Sequence, residues 1–470
     1  IRDQSDYKPA QMQEDFKRET GKEISYKVAY SAIKIALGLV HCEYSEAYRK
    51  IEAYCEGIQL ANPGTVALLQ QTTNGRFYRL FLAFGPSIKG WKSCRPVIGL
   101  DGFSLTGKHR GNLLCATGID ANGELYPIAF GVIDNENEEN WVWFLQHLHD
   151  TFQVSWSTTF VSDRRKELLA AMDLVFQGFE HAFCINHLDA NLKKKCSDGE
   201  FIRFFWKAAS AKSVEEFNEA IECMRAIDAD ATEWILTFSP PQHWATAHFE
   251  GKRFGHLVSN IGDALNSWLL EARDKPITSV LEIIRMQLTD RFCKNHNDGE
   301  ISWASLGEDA DYTLVNEAQQ HIQRVTEMSR IYKVFQCDEV VFEVQGPEYC
   351  YMVNAEQRTC SCLEWQTLGL PCAHAAALSL FKNQHVELYA HEGYLLSSFR
   401  STYEGEIYPA IVKNVEVIGI LPPAMYRRPG RPKRKCDDRT TENIDKEKRM
   451  YKCKRCGNAG HNERTCKNPI

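Results

Sequence analysis

A mixed α/β sheet domain followed by small zinc-binding modules is the fold class this 470-residue sequence predicts. Three observations carry it. Apolar runs of strand length alternate with helical patterns between about residues 93 and 190. Two of those runs end in a carboxylate, Asp101 and Asp163. Further on, Cys360-Ser361-Cys362 and Cys372-Ala373-His374 offer four soft or borderline donors in two tight pairs, which suits a closed tetrahedral Zn²⁺ site.

The elements follow in order. From about Ile24 to Leu80 the chain reads mostly as helix. Tyr26 through Leu39 spaces its apolar residues near 3.6, Ser45 to Leu60 repeats the pattern, and Asn62-Pro63-Gly64-Thr65 interrupts it. Residues 1–92 are therefore expected to form a helical N-terminal region. Pro96 to Asp101 is an apolar strand, and Thr106-Gly107-Lys108 is a turn. Asn112 to Ile119 and Leu125 to Val132 are strands joined by the turn Ala121-Asn122-Gly123. Asn140 to Phe152 is an amphipathic helix through Trp141, Phe144, Leu145 and Leu148. Thr158 to Asp163 is the second strand with a terminal carboxylate. A helix from Lys166 to Phe176 and a short strand from His181 to Cys184 follow. Three antiparallel strands, a helix, a parallel strand and then alternating elements describe a ribonuclease-H-like mixed sheet core over 93–300. That layout makes the two Asp-bearing strands neighbours. Residues 196–250 are helical and aromatic-rich, and read as an insertion. Asn260 to Arg273 is a strongly patterned helix. Short strands at Val340 to Val344 and Tyr349 to Val353 lead into the first Cys/His set, within a finger region over 318–385. Residues 420–450 are a Pro- and charge-rich linker expected to be disordered. At 451–468, Cys453-x2-Cys456-x4-His461-x4-Cys466 has the spacing of a zinc knuckle, a module that grips single-stranded or distorted nucleic acid.

Composition sets the class. A hydrophobic content of 44% and a charged content of 25% are ordinary for globular protein. No apolar run is long enough to span a bilayer, and no signal-peptide pattern opens the chain. The sequence begins at Ile1 without Met, which leaves room for an upstream segment, including one that reads DNA ends. Of 17 cysteines, 6 fall in the two Cys/His sets and 11 are scattered, which fits a reducing compartment better than a disulfide scaffold. Charge is uneven. Met425 to Ile470 carries 15 Lys/Arg against 6 Asp/Glu, a net of +9, so the −7 total leaves −16 on the rest. The tail is the electrostatic hook for nucleic acid, and the body needs local patches.

Several strings together resemble the Mutator-like (MULE) transposases of plants. They are Cys94-Arg95-Pro96-Val97-Ile98 running into Asp101-Gly102, Tyr126-Pro127-Ile128-Ala129-Phe130, Trp141-x-Trp143-Phe144, Ser162-Asp163-Arg164, and Cys184-x2-His187-Leu188-x2-Asn191. Ser259-Asn260 with Asn266, the SWIM-type finger at Cys360 to His374 and the terminal CCHC knuckle complete the set. The resemblance implies cutting and joining of element ends by an acidic triad with two divalent metals, Mg²⁺ or Mn²⁺. Carried over, Asp101 and Asp163 match the first two acids. The third is usually Glu, and here Asp263 stands between Asn260 and Asn266. Glu271, about two turns on, is the alternative. The resemblance also gives Cys184, His187, Asn260 and Asn266 a supporting role beside the active site.

The chemistry explains the residue types. Phosphodiester hydrolysis needs an activated water and a stabilised leaving oxygen, and two metal ions roughly 3.5–4 Å apart supply both. Mg²⁺ prefers carboxylate oxygens. Each residue also has a plainer reading. A strand-terminal Asp is commonly a turn or cap residue. Cys184 and His187 alone make an incomplete metal site. The insertion's tryptophans are core residues first and base-stacking platforms second. Lys452, Lys454, Arg455 and Arg464 interleave with the knuckle ligands, which suits phosphate contact, although a knuckle can also bind protein. Arg428-Pro429-Gly430-Arg431-Pro432-Lys433 resembles an AT-hook for an A·T-rich minor groove. Arg431 to Lys435, with Lys433, Arg434 and Lys435, also reads as a nuclear localisation signal.

Three functions are compatible with these features. One is a nuclear DNA transposase that binds terminal inverted repeats and target DNA, holds two structural Zn²⁺ ions, and works as a homo-oligomer to pair two ends. Another is a domesticated, transposase-derived DNA-binding regulator without cleavage. An RNA-binding protein rests on the knuckle alone.

Overall fold

The computed structural model describes residues 8–256, 270, 272–304, 312–347, 349–411 and 419–423. The expected helix at 260–273 lies almost wholly outside the described residues. Residues 425–470, a separate unit, lie outside them altogether.

Three helices open the chain, α1 (Pro9–Thr20), α2 (Tyr26–Arg49) and α3 (Ile51–Ala61). Ser25 caps α2, its hydroxyl accepting from Val28 N at 3.3 Å. The helical reading fails beyond Ala61. Val66–Gln71 (β1) and Phe77–Ala83 (β2) pair antiparallel, with Val66 opposite Ala83. The signals were Asn74-Gly75, a hairpin-turn dipeptide with Gly75 at φ 67°, and the aromatic-rich run after it. Short apolar runs fit either period, so the turn chemistry decides. Because β2 pairs with β5, this hairpin widens the central sheet.

A short helix α4 (Gly85–Trp91) leads into β3 (Arg95–Leu105), β4 (Gly111–Ile119) and β5 (Leu125–Ile133). Then come α5 (Glu138–Phe152), β6 (Thr159–Ser162), α6 (Lys166–Val175) and β7 (His181–Phe183). The strand order is β1-β2-β5-β4-β3-β6-β7. β3, β4 and β5 are antiparallel neighbours, whereas β6 joins β3, and β7 joins β6, in parallel. A return in parallel needs a long crossover, and α5 supplies one. Asn137 starts α5 by accepting from Asn140 N at 2.9 Å. The helix then buries Trp141, Phe144, Leu145 and Leu148 completely. The central strands are covered on both faces, which is why they read as continuous apolar runs.

After β7, α7 (Ile185–Leu192), α8 (Gly199–Ser210), α9 (Val214–Ile227) and α10 (Ala229–Phe238) form the insertion. Asp198, Ser213 and Asp228 cap the last three with their side chains. The insertion has its own apolar cluster, built on Phe201, Phe205, Phe217, Ile235 and Trp244. Trp244 is fully buried, and its indole donates to Ser239 O at 2.8 Å, so it is core rather than a stacking surface.

The chain continues through α11 (Ile277–Ala304) and α12 (Asn316–Ser329) into a second sheet. Its strands β8 (Lys333–Gln336), β9 (Val341–Gln345), β10 (Cys350–Asn354) and β11 (Thr359–Cys360) are all antiparallel, in the order β11-β10-β9-β8. Helices α13 (Glu364–Leu368), α14 (Ala373–Phe381) and α15 (Leu396–Thr402) follow. The last of them returns to the first sheet. Tyr126 of β5 packs against Tyr403 and Phe292, with ring centroids 5.6 and 5.7 Å apart. The Tyr403 hydroxyl donates to buried Asp120 at 2.8 Å. Burial pushes Asp120 up to about 6, opposed by the Tyr403 hydroxyl and the Glu124 amide. No helix among the described residues is long and apolar enough to cross a membrane.

The packing of α5 on β5 leaves no spare volume. A Cβ at Gly131 would sit 2.7 Å from Phe144 Cδ2. Gly131→Ala is expected to cost about 1–3 kcal/mol by overpacking, read as a lower melting temperature in a thermal scan.

Candidate metal centres

The Cys/His set forms at the end of the second sheet. Cys360 is the last residue of β11, Cys362 follows it, Cys372 is the N-cap of α14, and His374 lies in its first turn. Gln366 fixes the Cys360 backbone twice, its Oε1 accepting from Cys360 N at 3.0 Å and its Nε2 donating to Cys360 O at 2.8 Å. Leu363, at φ 64°, turns the chain back so that its N–H reaches Cys360 O at 2.9 Å. The four donor atoms all lie within 4.8 Å of one another. His374 Nδ1 stands 3.5 Å from Cys360 Sγ and 3.8 Å from Cys372 Sγ. A tetrahedral Zn²⁺ with bonds of about 2.3 Å to sulfur and about 2.0 Å to nitrogen puts such ligands about 3.6 Å apart, so the donor set fits zinc in kind and in spacing. Hydrogen bonds from Cys360 and Cys372 hold the Cys362 thiol far below its usual range, and the same contact pushes Cys360 up to about 12. The Tyr351 ring stacks on the His374 imidazole at 3.7 Å, and Tyr332 meets it edge-on at 4.6 Å. Both shield the site and orient the ring.

The finger is bolted to its surroundings. His321 Nε2 on α12 meets Pro371 O at 2.9 Å, the Tyr394 hydroxyl donates to Leu368 O at 2.6 Å, and Phe254 N donates to Thr367 O at 2.9 Å. Lys212 of the insertion pairs with Glu364 at 2.9 Å.

The acidic site lies where the first sheet changes from antiparallel to parallel. Leu100 on β3 is in register with Ser162 on β6, so the next residues, Asp101 and Asp163, are side by side. Both are buried, at 6% and 9% exposure. β3 does not end at Asp101, as the sequence suggested, but pairs with β4 as far as Leu105 opposite Gly111. The carboxylate is therefore held by a continuous strand. Burial pushes Asp101 up to about 6, against the pull of His187 and of the Gly102 amide, which donates to Asp101 Oδ1 at 2.8 Å. His187, in the first turn of α7, is pushed up to about 9 by the adjacent Cys184, against burial, with Asp101 and Asp163 adding to the rise. His187 thus lies within electrostatic reach of the two acids.

Sequence reasoning missed two residues of this cleft. Arg165 donates from Nε to Asp163 Oδ2 at 2.8 Å and from Nη1 to Glu136 Oε2. Glu136 comes from the loop before α5, and its carboxyl is raised by burial, opposed first by Arg165. In sequence it sits in Asp134-Asn135-Glu136-Asn137-Glu138-Glu139, which reads as a solvated, helix-capping run. Only the fold separates the buried member from the exposed ones. Asp263, Glu271, Asn260 and Asn266 lie outside the described residues. So do the knuckle ligands Cys453, Cys456, His461 and Cys466, and the basic residues Arg428, Arg431, Lys433, Arg434 and Lys435.

Two family models match separate stretches of the chain. The family model described as MULE transposase domain matches residues 97–191, which contain Asp101, Asp163, Cys184 and His187. The model described as SWIM zinc finger matches residues 342–383, which contain all four Cys/His donors. A curated relative, Protein FAR1-RELATED SEQUENCE 6 of Arabidopsis thaliana, is 23% identical over 307 residues, covering 63% of this chain. The match spans 42% of that relative's length.

Cys362→Ser and His374→Ala are each expected to bind one equivalent of zinc fewer than the unaltered chain by elemental analysis. Both are expected to melt at lower temperature, because removing one partner leaves buried sulfur and imidazole groups uncompensated.

Proposed function

We propose that this chain, which carries a MULE transposase domain and a SWIM zinc finger, binds DNA in the nucleus and cuts and joins it at element ends in a divalent-metal-dependent reaction. The observation that carries this reading is the placement of Asp101 and Asp163 side by side on parallel strands, buried and backed by His187. The strand order β5-β4-β3-β6-β7, with the last two parallel, is one we read as ribonuclease-H-like.

Carboxylates delivered by two strands fit hard cations in donor type. Mg²⁺ or Mn²⁺ bound there supplies the positive charge that favours an attacking oxygen and a leaving oxygen. The protein's own part is positional. β3 and β6 hold the carboxylates rigidly, the Gly102 amide orients Asp101, and His187 offers a positive charge beside the scissile phosphate. Asp263, or Glu271 in its place, is the third acid by resemblance. The basic tail, with Arg428, Arg431, Lys433, Arg434 and Lys435 and the knuckle, supplies phosphate and minor-groove contacts, and Arg431 to Lys435 the import signal. Terminal inverted repeats are the DNA expected at the cleft, and two copies of the chain are needed to pair two ends.

The second reading is a transposase-derived regulator that binds DNA without cutting it. A specific observation favours it: Asp163 is already neutralised by the Arg165 guanidinium, which also pairs with Glu136.

The test is strand cleavage in Mn²⁺ on DNA carrying the repeats that flank the gene, with a mobility shift on the same DNA. Active protein is expected to nick the ends, and Asp101→Asn and Asp163→Asn to lose nicking by about 100-fold or more while still binding, the scale on which losing one electrostatic stabiliser costs. Tight binding with no nicking by the unaltered protein selects the regulator.

A further inference from the structure

Glu136 lies beside the two aspartates, although nothing in the sequence singled it out. Its side chain is 9% exposed. Oε2 faces Arg165 and accepts from Asn112 Nδ2 at 3.4 Å. Oε1 is buried and makes no hydrogen bond. The Trp141 indole N–H lies near enough to favour the charged carboxylate, but without hydrogen-bond geometry. Oε1 is aimed at β3, where a Cβ at Gly102 would come within 2.8 Å of it. Gly102 is the residue whose amide holds Asp101. Glycine at 102 is what lets the Glu136 carboxylate lie against the strand beside Asp101.

Arg165 therefore pairs with both Glu136 and Asp163, with Asp101 within electrostatic reach. A buried carboxylate oxygen with no partner is costly, and a guanidinium cannot be neutralised by losing a proton. Arg165 can still leave, because its side chain is 46% exposed. Among the described residues only the four zinc-type donors converge within 4.8 Å. Asp101, Glu136 and Asp163 do not converge that closely.

We infer that Glu136 is a carboxylate ligand of the divalent metal site and that Arg165 is the counter-ion displaced when the metal enters. This rests on the metal-dependent reading above and deepens it, because it supplies three described carboxylates without Asp263 or Glu271. It also reconciles the Arg165 ion pairs with an active site: the guanidinium holds the cleft shaped and electrically balanced between metal loadings.

The experiment is Tb³⁺ luminescence on the full-length, zinc-loaded chain, sensitised by tryptophan, with Mn²⁺ as competitor. Trp141 beside Glu136 is the natural antenna. The unaltered protein is expected to give Mn²⁺-displaceable emission. Glu136→Gln, nearly isosteric, is expected to weaken Mn²⁺ binding roughly tenfold or more, the least that losing even a supporting residue of a metal site costs. Arg165→Ala is expected to tighten it. If Glu136→Gln binds like the unaltered protein while Asp101→Asn and Asp163→Asn do not bind, the inference falls and the metal-dependent reading stands. Weaker binding by Arg165→Ala overturns the counter-ion role. No displaceable signal from either the unaltered protein or Arg165→Ala overturns the inference and the metal-dependent reading together.

Discussion

The parallel register of β3 on β6 is the constraint on which the acidic cleft depends. With Leu100 opposite Ser162, the residue that follows each is an aspartate, Asp101 within β3 and Asp163 just after β6. Sheet side chains alternate, so a slip of one residue would send one carboxylate to the other face. That register is secured from a distance. α5 packs its aromatic face on β5, the crossover returns the chain as β6, and β7 locks β6 from the outer edge. Two like charges buried together are unfavourable, and the protein answers locally with the Gly102 amide, His187 and Arg165.

The second centre follows a different logic. Its ligands come from a strand end and a helix start joined through the short helix α13, whose Gln366 fixes the backbone around Cys360 before any metal is considered. Rings of Tyr351 and Tyr332 close over His374. Much of the organisation a metal would impose is thus already present in the polypeptide, and metal binding there would be coupled to the stability of the fold.

Legibility in the sequence was greatest where periodicity and chemistry coincide. The run Val97 to Asp101, the turn at Asn122-Gly123 and the helix carrying Trp141 and Phe144 are strongly patterned and appear at the expected places. The Cys-x-Cys and Cys-x-His spacing was enough to name all four donors. The hairpin at Val66 to Ala83 was misread because it borders real helices, and its apolar residues fit a helical period as readily as a strand period. Glu136 was invisible for another reason. Its neighbours Asp134, Glu138 and Glu139 are exposed, and only a tertiary contact with Gly102 distinguishes it from them. Spacing can announce a metal set contributed by one loop. It cannot announce a carboxylate that three separate elements must assemble.

The path of the chain after the finger bears on how such a protein could have been put together. The described residues just beyond the finger pack back onto the first sheet. Tyr394 lies under the Arg95 guanidinium at 3.8 Å, Phe399 joins the core of the first sheet, and Tyr403 closes over Asp120. The start of β3, which carries Asp101, is thus covered by a segment nearly 300 positions further on. The two regions matched by separate family models are not beads that recombination could trade singly. Loss of the segment that follows the finger would uncover the start of β3, with Arg95 keeping its bond to Ala121 O and Asp120 keeping the Glu124 amide. Inheritance of the two regions as one block is what this interlocking favours.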